Sequence, residues 1–84
     1  MGIKEKIIEA GRSLKTILID YTEIDGSNEG LRELEPYSFR VKSNIEYFYG
    51  YDLSKTGIRS FKLDRINSVE ITKNSFKPRW PVEF

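Results

Sequence analysis

The chain has 84 residues, 14 of them basic and 13 acidic, and its net charge of +1 means that any nucleic-acid site must be a local patch, not a global charge bias. It has no cysteine and no histidine, which excludes a disulfide framework, a thiolate zinc site and the commonest general bases and nucleophiles. Its longest aliphatic run, Ile17 to Ile19, falls far short of the roughly 20 residues of a membrane span, and no signal-peptide apolar region follows Met1, so a soluble, cytoplasmic protein with no membrane contact is expected.

One domain with one modest core is expected at this length. Ile3, Ile7, Ala10 and Leu14 recur at helical spacing and Gly11 offers a stop, which predicts a short helix over residues 3–10. β-structure is expected from there, over about residues 15–73. In a first strand Ile17, Ile19 and Tyr21 alternate with Leu18, Asp20 and Thr22, and the turn-rich Asp25, Gly26, Ser27, Asn28 ends it. A second strand, about Leu31 to Lys42, sets Tyr37, Phe39 and Val41 against Ser38, Arg40 and Lys42, and Pro36 argues for an edge or a bulge. Ser43 and Asn44 form a tight turn into a third strand, Ile45 to Asp52, in which Ile45, Tyr47, Tyr49 and Tyr51 share a face. After the loop Leu53 to Gly57, the alternation of a fourth strand, Ile58 to Ile66, places Arg59, Phe61, Leu63 and Arg65 together. A fifth, about Ser68 to Lys73, turns Val69 and Ile71 inward. The tail, residues 74–84, is extended by Pro78 and Pro81 and carries the only tryptophan, Trp80, expected to pack over its own barrel or over a second copy. One helix followed by five short strands predicts a mainly β fold, a small twisted five-stranded barrel whose closure removes exposed edges.

Arg59 and Arg65 present forked guanidinium groups suited to phosphate or another anion. Alternatively, Arg65 pairs with Asp64 or Glu35 and ties the barrel. A straight strand would hold the two arginines about 20 Å apart, so they could share one phosphate only across a bend, and would otherwise contact an extended ligand. Tyr37, Tyr47, Tyr49 and Tyr51 fit a platform on which bases stack, but an alternating Tyr strand is more often half of a barrel core with hydroxyls at its rim, so core is expected, with Tyr47 the best exception. Arg40 and Lys42 could extend a basic surface or simply solvate a strand face. The loop around Asp25 fails the EF-hand pattern and reads as an ordinary hairpin loop, so no metal site and no cofactor are expected. No glycine-rich phosphate loop precedes a helix, and no catalytic residue is assigned.

Three motifs in order give the chain a family resemblance. Glu35, Pro36, Tyr37, Ser38, Phe39 is similar to an E-P-Y-G-L segment. Glu46, Tyr47, Phe48 stands where W-Y-L is expected, followed by Tyr49, Gly50, Tyr51, Asp52 for V-G-W-D. Arg59 to Ile66, RSFKLDRI, is similar to R-x-F-R-L-D-R-I. This trio resembles the WYL domain, a module of prokaryotic regulators, over about Leu14 to Ile71. The departures are Glu46 in place of tryptophan and Lys62 in place of arginine. The resemblance implies an SH3-like or Sm-like barrel and a non-enzymatic, ligand-sensing role in transcription regulation. It also implies a nucleic acid or nucleotide as the ligand, with Tyr47, Arg59 and Arg65 as first candidates to bind it and Tyr37 and Arg32 as further ones. In the family a winged helix-turn-helix domain usually precedes the barrel; none is read here, so operator binding is not expected of this chain. Expected partners are therefore single-stranded nucleic acid or a nucleotide. The alternative is a protein-interaction module that forms a homodimer or docks a regulatory partner.

Overall fold

The apolar stripe of the N-terminal segment forms α1 (Ile3–Arg12), which buries Ile7 and Ala10, in a computed structural model that describes residues 1–84. The helix runs through Gly11, because that glycine does not end it but admits a neighbour: the Phe84 ring lies where a Cβ would project. The chain leaves the helix through Leu14, whose φ of 55° breaks the helical path.

Five strands follow: β1 (Lys15–Tyr21), β2 (Arg32–Lys42), β3 (Ile45–Asp52), β4 (Gly57–Lys62) and β5 (Ile66–Ser75), with a 3-10 turn at Leu63–Arg65. They form one antiparallel sheet in the order β4-β3-β2-β1-β5. β4 and β5 are thus its two edges, and the 3-10 turn carries the chain from one to the other. The mainly β fold with a short N-terminal helix is as expected, and the strand order fits an SH3-like or Sm-like barrel.

Register explains the core. Ile17 stands opposite Leu34 and Ile71, Ile19 opposite Arg32 and Val69, and Phe48 opposite Phe61. Directly opposed residues point to the same side of a sheet. That side, closed by Ile7 and Ala10 of α1, is the hydrophobic core, with Tyr21 and Ile66 completing it.

Four local expectations are settled by this packing. Pro36 cannot donate to a ladder in a central strand, and a bulge resolves this: the register jumps between Pro36↔Gly50 and Ser38↔Tyr49, leaving Tyr37 as the extra residue. Tyr37 therefore leaves the side of Phe39 and stacks on Trp80, whose ring centroid is 4.2 Å away. Ser43 and Asn44, with φ of 51° and 64°, form the tight turn between β2 and β3. On β3 the inward residue is Phe48, so Tyr47, Tyr49 and Tyr51 lie half-buried on the outer face and do not form half of the core. Finally, β4 ends at Lys62. Leu63, Asp64 and Arg65 wind into the 3-10 turn, so the common strand face of Arg59 and Arg65 does not exist.

Candidate functional site

Three tyrosines stand in line on the outer face of β3, and its neighbours supply what flanks them. Cross-strand pairing sets Arg40 and Lys62 on either side of Tyr47, Ser38 and Ser60 on either side of Tyr49, and Glu35 and Ile58 beside Tyr51. Lys42, opposite Ile45, brings its ammonium to 5.6 Å from the centre of the Tyr49 ring. Tyr47 and Tyr49 are thus aromatic surfaces bordered by cations and hydroxyls. Arg40 is bridged to Glu83 at 2.8 Å with both side chains half exposed, a pair that solvent screens and a competing anion can open. Lys62 has no ion-pair partner.

The five residues expected to bind ligand do not converge. Tyr47 sits at the centre of this face. Arg59, opposite Gly50, belongs to the same side of β4 as Phe61 but is exposed at the sheet edge, and its guanidinium has no ion-pair partner. Arg65 is paired with neither Asp64 nor Glu35; its Nη1 donates to the Glu23 carbonyl at 3.2 Å and fastens the 3-10 turn to the loop after β1. Tyr37 donates its hydroxyl to Glu35 Oε1 at 2.7 Å and accepts the Arg79 backbone N–H at 3.0 Å. Burial, with the Glu35 carboxylate beside it, pushes its phenol up to about 12.

Arg32 is fully engaged. Only 7% exposed, it donates Nε and Nη2 to Asp52 Oδ2, each at 3.2 Å, and Nη1 to Glu23 Oε2 at 3.2 Å. Its guanidinium also lies 5.0 Å from the centre of the Phe61 ring. Burial works to raise the Asp52 carboxyl, but the Ser54 hydroxyl, the Lys55 N–H and Arg32 outweigh it and hold it below the usual carboxylate range. Arg32 and Asp52 form a buried structural pair.

Sequence reading missed Lys62 and Arg79 as neighbours of the tyrosines. For Lys62 the signal was present in strand parity, which opposes it to Phe61, but its partner Tyr47 is known only from the register between strands. No group of Asp or Glu side chains is arranged to hold a metal ion. No helix is long and apolar enough to cross a membrane. Chemically, the face can stack planar rings and neutralise anions.

The chain is similar to known proteins over most of its length. It is 38% identical over 74 residues to an uncharacterized HTH-type transcriptional regulator of Bacillus subtilis, YobV, a match that covers 88% of this chain and 23% of that protein. Proteasome accessory factor B/C (PafBC) of Arthrobacter aurescens shares the fold, with a TM-score of 0.79 and 24% identity over 93% of this chain and 13% of its own. The chain therefore spans under a quarter of the length of either. Residues 2–71 match the WYL domain, and this match contains all three motifs together with the helix, the first four strands and the first part of β5: the chain belongs to the WYL domain family.

Proposed function

We propose that this chain is a non-enzymatic, ligand-sensing regulatory module that binds a single-stranded nucleic acid or nucleotide across the outer face of β2, β3 and β4. The observation that carries this reading is the outward row of tyrosines on β3 bordered by Arg40, Lys42 and Lys62. Bases stack on Tyr47 and Tyr49, a contact that every base can make because each has a π-face. Lys62, Lys42 and Arg40 neutralise the phosphates, while Arg59, on the other side of β4, lies outside this face. Arg32, Arg65 and Tyr37 support the framework. Membership of the WYL family and likeness to a transcriptional regulator support a regulatory use. The exposed Ile58 on the unpaired edge strand β4 supports the rival use, docking of a protein partner or of a second copy.

Titration of labelled short single strands at several salt concentrations tests the proposal. Tyr47→Ala should weaken binding by about 5- to 150-fold, the loss of one stacked base. Lys62→Gln should flatten the salt dependence by about 0.7 in log–log slope, the loss of one phosphate contact. Arg12→Gln, on α1, should leave both unchanged. Folded variants that bind with parental affinity and slope, or a parent that binds no strand at low salt, would refute it in favour of protein docking.

A further inference from the structure

We infer that the tail closes one end of the stacking platform and so limits the length of strand it accepts; this rests on the function proposed above. Tyr51 is the third outward tyrosine of β3, two residues beyond Tyr49, a rise of about 6.6 Å that matches the step from Tyr47 to Tyr49. All three are half-buried, but the cation over Tyr51 lies closer than the flexible Lys42 ammonium over Tyr49. The Arg79 guanidinium lies 3.8 Å from the centre of its ring, in van der Waals contact, and leaves that ring face no room for a base.

Arg79 is held there from several directions. Its Nε donates to Glu35 Oε1 at 3.0 Å, Nη2 to Oε2 at 3.4 Å, and its backbone N–H to the Tyr37 hydroxyl. Trp80 stacks on Tyr37 and meets Tyr51 edge-on, and the Glu83 N–H binds the Tyr37 carbonyl at 2.8 Å. Glu35 is 4% exposed, so lifting Arg79 would strip a buried carboxylate of its cation. The tail therefore stays down. It lies beyond the residues that match the family, and its Trp80 ring and Arg79 guanidinium stack on Tyr37 and Tyr51 but not on Tyr47 or Tyr49, which remain as two stacking positions. Arg79 and Trp80 thus set ligand length and do not enlarge the site.

Oligothymidylates from di- to hexanucleotide, titrated into the full chain, test this. The affinity of the parent should stop rising once two bases are stacked. In Arg79→Ala the plateau should move by one nucleotide, and the longer strands should bind about 5- to 150-fold more tightly, one more stacked base. The sign is diagnostic, since loss of a cation alone weakens binding to a polyanion. Glu35→Gln/Arg79→Ala removes both charges and should behave the same way, which guards against misfolding from an unpaired Glu35. A parental plateau, or weaker binding, in the folded double variant overturns the inference while the dependence on Tyr47 and Lys62 still stands. A parent that binds no strand overturns the proposed function with it.

Discussion

Replacing Asp52 with alanine should remove a large part of the stability of this chain, because it strips the anion from a pair that the fold has fully desolvated. Asp52 is 0% exposed and Arg32 7%. Its second oxygen, Oδ1, accepts from the Ser54 hydroxyl at 2.9 Å, the Ser54 N–H at 3.1 Å and the Lys55 N–H at 3.2 Å, so the same side chain also shapes the turn into β4. Removing one partner of a buried ion pair costs about 3–5 kcal/mol, against a total of about 4–13 kcal/mol for a chain of this size. Arg32 keeps Glu23, which sets the loss within that range and not beyond it. At about 4–8 °C per kcal/mol, thermal unfolding followed by circular dichroism should show a midpoint about 12–40 °C below the parent. Asp52→Asn, which keeps an acceptor for the turn amides, should fall in between. An Asp52→Ala midpoint within about 5 °C of the parent would refute the reasoning.

Phe61 is 2% exposed, 5.0 Å edge-on from Tyr21 and 5.9 Å from Phe48, so Phe61→Ala should cost about 3–5 kcal/mol in urea unfolding; a cost under about 1 kcal/mol would remove β4 from the core. Acid should destabilise the protein through Asp52 and through Glu33, whose carboxyl the Thr16 hydroxyl and then the Asn74 amide hold below its usual range. Folded-state values below the unfolded ones mean stability that is present above the ordinary carboxylate range and lost as pH falls through the folded values. The melting temperature should therefore hold from neutrality to about pH 4.5 and fall below it, less steeply in Asp52→Asn; an unchanged midpoint at about pH 3 would contradict this.

Spacing in the sequence determined a good deal of this protein by itself. Helical recurrence of Ile3, Ile7 and Ala10 located α1, Ser43 and Asn44 marked the turn between β2 and β3, and Pro36 announced the bulge. These are local properties, decided by backbone sterics and by a missing N–H, and the order of the three motifs carried the family with them. Alternation also grouped Tyr47, Tyr49 and Tyr51 on one face. It could not say which face is inside, since that depends on Phe48 meeting Phe61 across a register and on α1 covering that side. Nor could it show that Arg32 is spent on Asp52, 20 residues away, or that Arg79 lies on Tyr51 while bound to Glu35, 44 residues away. Nothing in a period of 2 or 3.6 residues encodes such contacts. The end of β4 at Lys62 was likewise hidden, because Leu63 to Arg65 continue its alternation in sequence while the chain must turn there to carry β5 to the far edge of the sheet. Sequence periodicity therefore determined the elements and their shared faces, and tertiary packing alone decided which cations stay free to act.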